Sequence, residues 1–155
     1  MKFQIILSPI ELNDSNSLDA LRMACGVARE NHARIILLHV IPKMVRPDLP
    51  GYRDLFPSDE HEVRTQIEKI AGAYLSEGSY EVMVEGGDPA ATINLVAWET
   101  GADLIVMATH GRRGMAHLIV GSVAEKVLRE APCAVLTVHA QPTQAQSTSD
   151  AERTP

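Results

Sequence analysis

Four stretches of almost unbroken Ile, Val and Leu, namely Phe3 to Leu7, Ile35 to Ile41, Leu104 to Ala108 and Ala134 to Val138, constrain this chain's fold more than any other feature. A strand with one wet face alternates apolar and polar residues, whereas a continuous apolar run suits a parallel strand covered on both faces. A fifth run, Tyr80 to Val84, does alternate, and its place is expected near a sheet edge. Between the runs the period changes to that of helices. Leu18, Leu21, Cys25 and Ala28 mark one stripe, Val63, Ile67, Ile70 and Tyr74 a second, and Ile93, Val96, Ala97 and Thr100 a third. Strand and helix thus alternate four times before a last strand closes the order. Right-handed crossovers then give one doubly wound α/β domain, a five-stranded open parallel sheet with helices on both faces, Rossmann-like in class.

Boundary residues agree with that order. Asp88-Pro89 predicts a helix start with a capping side chain and proline at the first position, and Gly101 predicts its stop. Ser122-Val123-Ala124-Glu125 has the spacing of a capping box and opens a fourth helix ending before Pro132. Pro42 to Pro57, with four prolines and a glycine, predicts a long surface loop. Residues 141–155 carry no apolar stripe, so the domain is expected to span residues 1–140 with a disordered tail after it. The lone Trp98 is expected in the core.

Charge excludes some partners. Twenty acidic against fourteen basic residues give a net charge of −6, which repels nucleic-acid phosphates and anionic lipid. Neither is expected as a partner. Only Cys25 and Cys133 are present, with no CxxC spacing, and no apolar run reaches the roughly 18 residues of a membrane helix. A cytoplasmic setting without disulfides follows as the expectation. The six histidines are scattered without a metal-ligand spacing, and neither a G-x-S-x-G elbow nor a Walker lysine occurs.

In open parallel sheets, ligands sit beyond the carboxyl ends of the strands where strand order reverses. Two segments bear on that place: Leu7-Ser8-Pro9-Ile10-Glu11, and Met107 through His110-Gly111-Arg112-Arg113-Gly114 to Gly121-Ser122. Glycines let a backbone approach phosphate, and the N–H groups at a following helix start favour an anion. Gly111, Gly121 and Ser122 suit that role, and Arg112 and Arg113 add positive charge. A helix dipole contributes only about 0.3–1 kcal/mol, whereas micromolar binding needs about 8 kcal/mol. Several N–H contacts and an apolar nucleoside slot must supply the rest. The competing reading is that the glycines merely turn the chain and Ser122 merely caps a helix.

Ala108-Thr109-His110-Gly111, nine residues, then Gly121-Ser122, is similar to the G-x2-G-x9-G-(S/T) nucleotide loop of the universal stress protein family. The resemblance runs from Lys2 to about His139. Ile35 to Ile41 resembles the family's second strand, Gly87-Asp88-Pro89 its turn before a helix, and Pro132 to Leu136 its last strand. It implies that Gly111, Gly121, Ser122 and Val123 surround the phosphates and ribose of a bound adenine nucleotide, ATP with or without Mg2+. It further implies that Val40 and Met107 line the adenine slot. Ala108 stands where the pattern has its first glycine. Glu11 stands two residues after Pro9, where the family usually has an aspartate facing the nucleoside. The implied function is a stress-response sensor or binding module, homodimeric through its last strand. The alternatives are a slow ATPase or nucleotidyl-transfer enzyme using Glu11 or His110 as proton acceptor, and an interaction scaffold without nucleotide.

Overall fold

The computed structural model describes residues 2–12, 14–42, 60–76, 78–109 and 120–139. The apolar runs form strands β1 (Ile5–Pro9), β2 (Arg34–Pro42), β4 (Leu104–Ala108) and β5 (Ala134–Val138), and the alternating run forms β3 (Tyr80–Gly87). Helices α1 (Ser15–Asn31), α2 (Glu60–Ala71), α3 (Pro89–Thr100) and α4 (Ser122–Glu130) lie between them. All pairings are parallel and the strand order is β3-β2-β1-β4-β5, with β3 at one edge and β5 at the other.

The period of two along a strand sends alternate residues to opposite faces, and each face carries its own core. Ile6, Ile35, Leu37, Val82, Leu104 and Val106 pack under Leu21, Cys25, Ala28, Val63 and Ile67 of α1 and α2. Leu7, Ile36, Leu38, Ile105 and Met107 pack under Ala90, Ile93, Val96, Ala124 and Val127 of α3 and α4. Ile35 to Leu38 are each no more than 1% exposed, which is why that run shows no alternation.

The helix ends follow side-chain chemistry. Asp14 caps α1 by accepting from Asn16 N at 3.1 Å. Asp88 caps α3 by accepting from Ala91 N at 3.0 Å, with Pro89 at the first position and Gly101 closing the helix at φ 66°. At the amino end of the sheet, the Asp103 carboxylate takes N–H bonds from Gln4 at 2.7 Å and Ile5 at 2.8 Å, while Asp103 N donates to Ile5 O at 2.9 Å. These bonds clamp β1 to the start of β4.

Three expectations need correction. Gly121, not Ser122, is the N-cap of α4 and has no side chain to cap it, so the Ser122–Glu125 capping box does not form. Pro42 is not loop but the last residue of β2, paired with Gly87. Trp98 is not core: it is 72% exposed. The buried stripe of α3 is Ala90, Ile93, Val96 and Ala97, and at about 100° per residue position 98 turns away from it. The rest of the expected loop, 43–57, and the expected tail, 141–155, lie outside the described residues.

Candidate functional site

Strand order reverses between β1 and β4, which makes the gap beyond their carboxyl ends the topological switch point. The ladder itself opens that gap. Pairing between β1 and β4 is limited to Ile6 with Leu104 and Leu7 with Ile105, although β1 remains paired with β2 as far as Pro9 and β4 with β5 as far as Ala108. Proline supplies the reason. In a parallel sheet, alternate residues of a strand address alternate neighbours. Ile5 O accepts from Asp103 beside β4, and Ile10 N donates to Leu38 O of β2 at 2.7 Å, so Pro9 addresses β4. It has no N–H to offer there, and the strands part.

The walls of this crevice are apolar on one face. Met107 is buried at 5% exposure in the core shared with α3 and α4, and Val40, Val120 and Val123 pack against the same core half-buried. Pro9 and Ala108 are half-buried at the strand ends, and Glu11 is exposed just beyond β1. Its backbone N–H donates to Ser17 Oγ at 2.8 Å, tying the turn after β1 to the first turn of α1. His39 Nδ1 lies 2.8 Å from Ile10 O, a carbonyl that can only accept, so Nδ1 carries the proton in this arrangement.

On the same face of the sheet as Val40 and Met107, α4 begins. Gly121 N donates to Thr109 O at 2.6 Å, which joins the end of β4 to the start of α4 across residues 110–120. Thr109 is itself anchored: 1% exposed, it donates its N–H to Val138 O at 3.1 Å and sets its hydroxyl 3.0 Å from His139 Nδ1. Among the described residues the helix start has no side-chain cap, Ser122 is exposed, and Val123 is half-buried. The first N–H groups of a helix have no partner inside it, and with the dipole behind them they are suited to an anion.

Pro9, Glu11, Val40, Met107, Ala108, Gly121, Ser122 and Val123 therefore gather at one end of the sheet. Gly111 and Arg112, together with His110, Arg113, Gly114 and His117, lie outside the described residues. Sequence reading passed over Thr109, His39 and His139, which hold the site's edges. The available signal was position: Thr109 and His139 directly follow the apolar strands β4 and β5, and His39 is the one polar residue inside the apolar run Ile35 to Ile41.

Among the described residues, no group of three His, Cys, Asp or Glu side chains could hold a metal ion. Burial raises the thiol pKa of both Cys25 and Cys133, which disfavours thiolate chemistry at either. A groove of about 320 Å3 lies elsewhere, at the amino end of the sheet, lined by Cys25, Arg29, His32, Tyr74 and Ser79 among others. It lies at the opposite end from the strand-order reversal and shares none of the site residues. No helix among the described residues is long and apolar enough to cross a membrane.

Comparison with known proteins agrees with the architecture. The model of the universal stress protein family matches residues 2–139. The chain is 30% identical over 142 residues to universal stress protein MJ0531 of Methanocaldococcus jannaschii, covering 88% of this chain and 82% of that one. Among solved structures, the universal stress protein UspA of Lactobacillus plantarum superposes with a TM-score of 0.77 at 23% identity, over 89% of this chain and 99% of its own. A universal stress protein described in complex with cAMP superposes with a TM-score of 0.66 at 23% identity, over 90% of this chain and 98% of its own.

Proposed function

This chain belongs to the universal stress protein family, and we propose that it binds an adenine nucleotide, ATP foremost, as a stress-response sensor or binding module. One observation carries the reading: the β1–β4 ladder stops after Leu7 and Ile105, short of Pro9, at the end of the sheet where β4 leads on to α4. A planar apolar base fits between Val40 and Met107, and phosphate oxygens can accept from the N–H groups of the first turn of α4 at Ser122 and Val123, which have no partner inside the helix. In this reading Glu11, exposed past the end of β1, accepts from ribose hydroxyls. On the family pattern the site extends to Gly111 and Arg112. Mg2+ would be held chiefly by the nucleotide's own phosphates, since it needs only one or two protein oxygens. The family relative described with cAMP supports an adenine nucleotide as the ligand class.

A homodimer through β5 belongs to the same proposal. Among the described residues that strand pairs only with β4, its side chains are mostly half-buried apolar groups, and α4, which packs on it, leaves Leu128 46% exposed. An open strand edge of this kind is normally covered. The cytoplasm, where two free thiols persist, is the proposed setting.

Calorimetric titration of nucleotide-free protein with ATP, followed by a phosphate-release assay on the same sample, tests the reading. Saturable one-to-one binding without turnover is expected. Steady phosphate release would instead make the chain a slow ATPase, and absence of heat would leave the scaffold reading.

A further inference from the structure

At the amino end of the sheet, far from the strand-order reversal, two walls enclose the groove of about 320 Å3. One wall is the last turns of α1 with the residues leading into β2, and the other is the segment 74–79 between α2 and β3. Small-molecule sites usually occupy about 300–1,000 Å3 and have an apolar floor under a few polar groups. This groove has that character. Cys25, Ala28 and Ile35 are buried and Leu75 is half-buried, whereas Arg29, His32 and Ser79 stand exposed at the rim. Its second wall is held by internal bonds. The Tyr74 ring carries the Arg22 guanidinium 5.6 Å from its centroid, and its hydroxyl accepts from Arg22 at 3.3 Å. Ser79 donates its N–H and its hydroxyl to Ser76 O at 3.0 and 2.6 Å, which closes the turn.

Charge sets the groove apart. Among the described residues, Arg22, Arg34, Arg64 and Arg129 each face a carboxylate within 3.5 Å, and Arg29 alone of the arginines does not. His32 has no carboxylate partner there either. Neither side chain is taken up in ending α1. Val27 O accepts from the Asn31 amide at 2.9 Å, and Ala28 O accepts from Ala33 N at 2.9 Å and from the backbone N–H of His32. His32 has φ 57°, the one positive φ outside glycine among the described residues, at a helix end where glycine is the common choice. An imidazole is thus kept at the rim against backbone preference. The charge of Arg29 also reaches the floor: burial raises the Cys25 thiol pKa, and the guanidinium opposes that rise.

We propose that this groove binds a small monocarboxylate with a compact apolar body. Arg29 and His32 hold the carboxylate at the rim, and the body lies on Cys25, Ala28, Ile35 and Leu75 beside the Tyr74 ring. A guanidinium fork and a ring N–H are both donors suited to carboxylate oxygens. The full positive charge of Arg29 outweighs the roughly half negative charge at the carboxyl end of α1. The groove shares no residue with the crevice at the strand-order reversal, so its ligand binds independently of nucleotide.

NMR titration of isotope-labelled protein with sodium benzoate tests this, with benzamide and benzylamine as neutral and cationic controls of similar shape. Saturable shifts are expected at the amides of Ala28, Arg29, His32, Ser76 and Ser79, unchanged by added ATP. Benzamide should bind roughly tenfold more weakly, because it lacks the charge-assisted bond, and benzylamine should produce no saturable shift. Arg29→Gln, at an exposed position, should weaken benzoate roughly tenfold and leave benzamide binding as it was, a difference that loss of folding could not produce. Benzoate shifts that fail to saturate or that map elsewhere, benzamide bound as tightly as benzoate, or Arg29→Gln without effect on benzoate would each overturn the proposal.

Discussion

Glu11 is the residue whose role the fold narrows most and leaves most open to experiment. Its backbone is fixed by the N–H bond to Ser17 Oγ, and its side chain lies exposed at the carboxyl end of β1. A carboxylate there that accepts from ribose hydroxyls would contribute about 1.5–3 kcal/mol. Glu11→Ala should therefore raise the dissociation constant for ATP roughly ten- to a hundredfold. Glu11→Asp should preserve or improve affinity, because the shorter arm restores the acid usual at this position. Equal affinities for all three proteins, measured by calorimetry, would remove the acid from the site. Single residues were also where sequence reading failed. Trp98 was placed inside because large aromatics are usually buried, yet only its angular offset from Ala97 decides its direction. Ser122 was made a cap because spacing alone cannot say which residue of Gly121-Ser122 first adopts helical angles.

At the scale of elements, strands and helices were legible because burial on both faces leaves a direct imprint: Ile35 to Leu38 have no polar position to spare. The capped ends of α3 were equally legible, since Asp88, Pro89 and Gly101 each act locally. The break in the β1–β4 ladder was not, because it depends on which neighbour Pro9 addresses, a matter of sheet order. Two element-level predictions follow from the observed geometry. Gly121 has φ −72° and ψ 157°, a conformation open to any residue. Gly121→Val should thus leave the circular dichroism spectrum nearly unchanged but abolish ATP binding, since its branched side chain would stand where phosphate approaches α4. Unchanged affinity in the folded variant would take the loop out of the site. At the other end of β1 and β4, the Asp103 carboxylate accepts two backbone N–H bonds. Asp103→Ala should lower unfolding free energy by about 1.5–3 kcal/mol, and Asp103→Asn by less, because an amide oxygen still accepts. Urea denaturation that shows no loss for either variant would contradict the clamp.

For the whole molecule, two cores separated by one parallel sheet explain how the site is held. The crevice opens where the sheet's central strands part, while Thr109, Val138 and the clamp at Asp103 keep the strands themselves in register. Assembly should depend on the strand edge rather than on the polar segment after it. Removal of residues 141–155 is expected to leave the dimer mass unchanged by light scattering, whereas a monomer after truncation would transfer the interface to that segment. The fold class could be read from the apolar runs. The chemistry of the ligand could not, because a switch point and a free helix start accept many anions. Identification of small molecules released from the purified, heat-denatured protein by mass spectrometry therefore tests the central claim most directly. The account predicts recovery of ATP or another adenine nucleotide in near-stoichiometric amount from wild type and none from Gly121→Val. Wild-type protein that releases no nucleotide, and whose melting temperature does not respond to added ATP, would contradict it.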